Sequence, residues 1–219
     1  MTRHIERQIL HLKELILHFG TMVEESISHS NIALFKQDLS LATKVIANDA
    51  EIDRMEVELE EECLKVLALY QPVAADLRFV VAVLKINNDL ERIGDLTSNI
   101  AKTVSQLAMT GPFEMPQEIS VMAKQAEEMV KKSLDAVVTG DPDLARQVRE
   151  EDDAVDAGRQ AVSKLVMQKI QEDPQNVESL LRINSVSKHL ERVADMATNI
   201  AEDVIYMVEG EIVRHRHGD

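Results

Sequence analysis

The chain repeats itself with a spacing of 100 residues. The segments LERIGDLTSNIA (90–101) and LERVADMATNIA (190–201) align without a gap and share Leu, Glu, Arg, Asp, Asn, Ile and Ala. Self-similarity of this kind indicates two copies of one structural unit. The fold must therefore be built as a duplicated unit.

Both copies carry the same stripe of apolar residues, separated by alternating steps of three and four. This spacing places the stripe on one face of a helix, which then packs against two neighbours in a bundle. The first stripe consists of Val83, Ile86, Leu90, Ile93, Thr97, Ile100, Val104 and Leu107. The second consists of Ile183, Val186, Leu190, Val193, Ala197, Ile200, Val204 and Met207.

Prolines divide the chain into long stretches of helical period. We predict helices over 4–37, 40–70, 74–109, 117–139, 142–172 and 175–213. Ser40 is the expected N-cap of the second helix, and Asp141 with Pro142 the expected start of the fifth. The joint TGPFEMP (110–116) separates the halves. The predicted fold class is all-α, with two tandem spectrin-like three-helix bundles over residues 1–110 and 115–213.

Composition excludes several classes of protein. Only 3% of the 219 residues are aromatic, which disfavours a β-sandwich or barrel. The formal charge of -15 disfavours nucleic acid as a partner, because a phosphate backbone would be repelled. The single Cys63 excludes a disulfide scaffold. No apolar run reaches the length of a membrane span, and the start of the chain lacks a signal-peptide core. We expect a cytoplasmic protein.

Acidic residues recur four positions apart in both halves. Glu91, Asp95 and Asn99 form a column on one helix, and the repeat supplies an equivalent column at Glu191, Asp195 and Asn199. A looser echo, shifted by 103 residues, pairs two acids on the preceding helix: Asp49 and Asp53, then Asp152 and Asp156. Residues four apart lie on the same helix face. We expect each column on the outer face and each pair beside it, across a shallow groove.

This arrangement costs helix stability unless a ligand compensates for it. Stacked like charges destabilise a helix by roughly 0.2–0.5 kcal/mol per pair, and Gly94 in mid-helix costs up to about 1 kcal/mol more. A hard cation such as Mg²⁺, Mn²⁺, Ca²⁺ or iron would convert the repulsion into attraction. The alternative is a solvated acidic face of a plain helical scaffold, which is common in acidic proteins.

The sequence resembles the PhoU family of phosphate-signalling proteins. The matching segments are QPVAADLR (71–78), LERIGDLTSNIA, REEDDAVD (149–156) and LERVADMATNIAEDVIYMVEG (190–210). The resemblance implies two three-helix bundles related by a pseudo-twofold axis, with multinuclear metal clusters on their surfaces. Iron is the metal it most favours, with Mn, Mg, Zn or Ca as other candidates. It implies two sets of ligands: Asp49, Asp53, Glu91, Asp95 and Asn99, then Asp152, Asp156, Glu191, Asp195 and Asn199.

The resemblance also implies a regulatory role. Members of the family act in the cytoplasm, at the membrane-bound transporter complex, between the ATPase subunit of a phosphate ABC transporter and a sensor histidine kinase. They hold down phosphate uptake and the starvation response when phosphate is plentiful. The resemblance implies a homo-oligomer, in particular a dimer, and no catalytic residues.

An enzymatic alternative is a di-metal oxidase or hydrolase. Such bundles use Glu-x-x-His on two helices, and the sequence contains no Glu-x-x-His.

The two halves are not identical at the proposed sites, because Gly94 becomes Ala194, Asp89 becomes His189, and Asp76-Leu77-Arg78 has no counterpart. We therefore expect the second site to differ in shape from the first.

Overall fold

The computed structural model describes residues 2–110 and 114–213, with side chains from residue 4. Within these residues it contains no strand, which confirms the all-α fold class. Its helices are α1 (Thr2–Lys36), α2 (Leu39–Tyr70), α3 (Ala74–Leu107), α4 (Gln117–Thr139), α5 (Pro142–Glu172) and α6 (Val177–Glu209). A 3-10 turn, Pro174–Asn176, separates α5 from α6. Part of the joint between the halves, 111–113, lies outside the described residues.

Local hydrogen bonding accounts for the helix ends. The N-cap of α2 is Asp38, whose carboxylate accepts a hydrogen bond from the Leu41 backbone N–H, so the prediction of Ser40 was wrong. A carboxylate at the earlier position caps the helix two residues sooner. Asp141 caps α5 as predicted, and Gly140 ends α4 in the left-handed region at φ +64°. Helix α6 ends at Glu209 rather than at residue 213, with Gly210 left-handed at φ +76°.

The apolar stripes form the core of each half. All eight residues of the α3 stripe are buried, as are all those of the α6 stripe except the half-buried Met207. Helices α1 and α2 pack on α3, and α4 and α5 pack on α6. Cys63 is fully buried in the first core, where burial raises the pKa of its thiol to about 12.

Two further helix pairs join the halves. Helices α3 and α6 run antiparallel along a polar contact that we call the seam. The Lys85 ammonium lies 3.1 Å from an Asp203 carboxylate oxygen that is nearly inaccessible to water. Asn199 Nδ2 donates to Asp89 Oδ1 at 3.4 Å. Helix α1 also meets α4, where Asn31 donates to Glu127 at 2.9 Å. The two bundles are thus packed side by side.

No helix in the described ranges is long and apolar enough to cross a membrane.

Candidate metal-binding grooves

The predicted acidic pairs and columns meet at two grooves. In the first groove, between α2 and α3, burial raises the pKa of Asp49, and the charges of Asp95 and Asp53 raise it further. Burial likewise raises the pKa of Glu91, followed by the charges of Asp95, Asp53 and Glu56. Charges of partly exposed carboxylates act on one another only over short separations, because solvent screens them at longer range. The fold therefore brings the pair on α2 against the column on α3.

The second groove lies between α5 and α6 and has a more buried carboxylate. Burial, with the charges of Asp195 and Asp156, raises the pKa of Asp152 to about 6. Burial also raises the pKa of Asp195, helped by Glu191 and Asp156. The four acids predicted for this half thus act on one another as their counterparts do in the first.

The two asparagines lie differently from the acids. Four helical residues turn by ~400°, so each step along the column rotates by ~40° and two steps by ~80°. This rotation turns Asn199 away from the groove toward α3, where it donates to Asp89. Asn99 accepts from Lys102 Nζ at 3.5 Å. The structure therefore uses the Asn199 amide in the seam, although sequence spacing grouped it with Glu191 and Asp195.

Sequence reasoning missed a hydroxyl in each groove. Ser98 lies beside Asp49 and Thr198 lies beside Asp152, and each lowers the pKa of its neighbouring carboxyl. Neither hydroxyl oxygen reaches hydrogen-bonding geometry with another described residue, and both are buried. The sequence could have predicted these hydroxyls, because positions 98 and 198 are equivalent in the repeat and both carry a β-hydroxyl.

Close packing explains the glycine in the first column. A Cβ built on Gly94 would lie 2.7 Å from Ile52 Cγ2 of α2. In the second half the equivalent pair is Ala194 and Val155, both fully buried. The larger Ile52 thus packs against glycine in the first half, and the smaller Val155 is paired with alanine in the second. Gly94 therefore has a packing reason, and the expectation that it only costs helix stability was wrong.

The carboxylates line the grooves without converging on one point. Within residues 4–110 and 114–213, no three Asp, Glu, His or Cys side chains already surround a common metal position. The donor chemistry nevertheless fits a hard cation, because carboxylate oxygens dominate both grooves. Asp152 Oδ1 is also buried and accepts no hydrogen bond from the described residues. A buried oxygen left in this state costs free energy that a bound cation would recover.

Comparison with known proteins identifies the family. The PhoU domain model matches twice, at residues 16–104 and 119–204. The PhoU homolog of Aquifex aeolicus, a phosphate-specific transport system accessory protein, is 39% identical over 96% of both chains. The homolog of Pseudomonas aeruginosa is 36% identical over 98% of this chain and 91% of its own length.

Solved structures agree. The crystal structure of PhoU from Pseudomonas aeruginosa superposes with a TM-score of 0.91 at 35% identity, over 94% of this chain and 99% of that one. The phosphate transport system regulatory protein PhoU from Streptococcus pneumoniae gives 0.87 at 29% identity, over 95% and 99%. The full-length sequence matches and the shared architecture show that this chain belongs to the PhoU family.

Proposed function

We propose that the protein is a metal-binding regulatory adaptor of phosphate transport that acts without catalytic turnover. The observation that carries this proposal is the match of both halves, and of nearly the whole chain, to accessory and regulatory proteins of phosphate transport systems. Its partners are the ATPase subunit of a phosphate ABC transporter and a phosphate sensor histidine kinase. It represses phosphate uptake and the starvation response when phosphate is abundant, as a cytoplasmic dimer at the transporter.

The grooves supply the metal-binding part of the proposal. Asp49, Asp53, Glu91 and Asp95 would hold cations in the first groove, and Asp152, Asp156, Glu191 and Asp195 in the second. Bound iron or another hard cation supplies positive charge that neutralises the facing carboxylates. The Asn99 amide oxygen accepts from Lys102, which would have to be displaced before this oxygen could serve the first groove, and the donation of Asn199 Nδ2 to Asp89 holds that amide toward the seam.

The proposed switch depends on α3 and α6, because each of these helices belongs to two contacts. Each is one wall of a groove and also one side of the seam. Neutralising the carboxylates would draw α2 toward α3 and α5 toward α6, because the repulsion across each groove would be removed. The same movement changes the fit of the two bundles along the seam, and with it the surface offered to partners.

A complementation experiment tests the regulatory role. Deletion of the gene should derepress phosphate-starvation genes in abundant phosphate, and the wild-type gene should restore repression. The double variant Asp95→Asn, Asp195→Asn should express and fold but fail to restore it. A deletion strain that still represses these genes normally would refute the regulatory role, while full repression by the double variant would refute the need for the grooves.

Metal binding is tested separately on purified protein. Mn²⁺ or Fe²⁺ at about 100 times its Kd should stabilise the fold by about 2.7 kcal/mol per site. Thermal melting with and without each ion measures this, and Asp95→Asn, Asp195→Asn serves as the reference. The same melting temperature with and without every ion would defeat the metal part of the proposal.

A further inference from the structure

The two grooves differ at one position that the repeat makes equivalent. The shift of 103 residues that relates Asp49 to Asp152 and Asp53 to Asp156 also relates Glu56 to Arg159. An acid in the first half is thus replaced by a base in the second. Both positions follow the acidic pair by three residues, so both turn toward the neighbouring helix.

In the second groove the base is bound to a proposed ligand. Arg159 Nε lies 3.2 Å from Glu191 Oε2, and both side chains are partly buried. Arg159 Nη1 donates to Ser163 Oγ at 2.8 Å, and Ser163 donates in turn to Asn184 Oδ1 at 3.1 Å. The guanidinium is therefore held by a chain of contacts, with its charge directed at the carboxylate of Glu191.

In the first groove the same place adds negative charge. The repeat aligns Glu56 with Arg159 and Glu91 with Glu191, and the contact of Arg159 with Glu191 therefore places Glu56 next to Glu91. Asn87 Nδ2 contacts both the backbone oxygen of Glu56, at 2.9 Å, and its Oε1, at 3.5 Å. Glu56 is thereby anchored beside Glu91, with its second carboxylate oxygen outside these hydrogen bonds.

The charges at the opposite end of the grooves also reverse in sign between the halves, but they act less directly on the carboxylates. Lys102 lowers the pKa of Asp49 in the first groove, but its side chain is exposed and its contact to Asn99 is long. Its counterpart in the repeat, Glu202, lies 3.5 Å from Arg149. A flexible lysine is more easily displaced by a metal than a guanidinium held by two partners, Glu191 and Ser163. The replacement of Glu56 by Arg159 is therefore the main difference in charge between the two grooves.

We propose that Arg159 is a tethered cation that competes with metal for Glu191, whereas Glu56 is an additional carboxylate ligand of the first groove. The first groove then binds hard cations more tightly, and the second fills only at higher metal concentration. This inference rests on the proposed metal-binding function, and it makes the protein a sensor with two thresholds.

The test measures Mn²⁺ binding to each groove alone, by electron paramagnetic resonance of free Mn²⁺. Asp195→Asn leaves the first groove intact, and Asp95→Asn leaves the second. We expect the first groove to bind about 10- to 100-fold more tightly, the range typical when the surroundings of a metal ligand change. In the Asp95→Asn background, Arg159→Glu should strengthen binding by a similar factor, and Glu56→Arg should weaken it in the other background.

Matched variants control for total charge and for folding. Lys164→Glu on α5 and Glu58→Arg on α2 make the same charge changes at exposed positions and should leave Mn²⁺ binding within about twofold of wild type. Arg159→Gln removes the guanidinium without adding repulsion to Glu191, and it should strengthen binding even if Arg159→Glu fails to fold.

The outcomes separate the two proposals. Equal affinities in the two grooves, unchanged by Arg159→Gln, would overturn the competition while leaving the metal sites in place. Mn²⁺ binding by neither single-groove protein would instead overturn the metal-binding function itself.

Discussion

The packing of Gly94 against Ile52 predicts the effect of adding one methyl group. Gly94→Ala gains about 1 kcal/mol from helix propensity. The new Cβ would lie 2.7 Å from Ile52 Cγ2, closer than carbon atoms approach in proteins, and 3.1 Å from its Cδ1, which is tighter than most such contacts. Overpacking of a core costs typically 1–3 kcal/mol. The net effect should be a loss of about 0–2 kcal/mol in the free energy of unfolding, although alanine is the better helix former.

The second half shows how the loss can be relieved, because Val155 there accompanies Ala194. Ile52→Val alone should cost about 0.5–1.5 kcal/mol. Combined with Gly94→Ala it removes Cδ1, which lies 3.1 Å from the new Cβ, and gives the remaining Cγ2 room to move away from it. The double variant should therefore lose less than the sum of the single variants. We expect a favourable coupling energy of at least about 0.5 kcal/mol.

Urea unfolding of the four proteins, followed by circular dichroism in EDTA, measures this cycle. The reverse cycle, Ala194→Gly with Val155→Ile, is the matched control and should show coupling of the same sign. A Gly94→Ala protein more stable than wild type by the full helix-propensity gain would refute the contact. The contact would also be refuted if the stability losses of the two single variants simply added up in the double variant.

Other predictions concern charge and the helix ends. Burial and nearby acids raise the pKa of Asp152 to about 6, so without metal the protein should lose stability as pH rises from about 4 to 6. Asp152→Asn should reduce this slope to the part that comes from the other raised carboxyls, and it should gain about 1 kcal/mol at pH 7 after discounting for solvent screening. Urea titrations at each pH measure both effects. Lys85→Ala removes the ammonium beside buried Asp203 and should lower the free energy of unfolding by about 1.5–3 kcal/mol. A melting temperature equal to that of wild type would show that the seam does not need this ion pair. Arg78 Nε donates to the Met207 carbonyl at 3.4 Å, so Arg78→Ala should speed amide exchange in the last turn of α6 and leave that of α4 unchanged.

The repeat and the apolar stripes predicted the fold, because burial of a stripe with alternating steps of three and four is decided within one helix. The stripe from Val83 to Leu107 is buried throughout. The helix ends were less predictable, as Asp38 and Ser40 are both acceptable N-caps, and the choice depends on the turn that precedes α2.

The grooves were only partly predictable, because their composition depends on how two helices are aligned with each other. The connection between α2 and α3 sets that alignment in the first half and the connection between α5 and α6 sets it in the second, and the sequence does not specify either. The contact of Arg159 with Glu191 and the turn of Asn199 into the seam are both of this kind. Glu56 could have been noticed, since it follows Asp53 at the spacing at which Arg159 follows Asp156.

The seam has a mechanical consequence for the molecule as a whole. Lys85 and Asp89 lie one turn apart on α3 and reach Asp203 and Asn199, also one turn apart on α6, in antiparallel order. Paired contacts of this kind resist sliding of one helix along the other, because both would have to break together. They leave a rocking motion about the long axis of the helix pair as the softer displacement. A conformational change that starts in one bundle should therefore reach the other as a change of tilt. A partner that contacts both bundles would then detect a change in the angle between them.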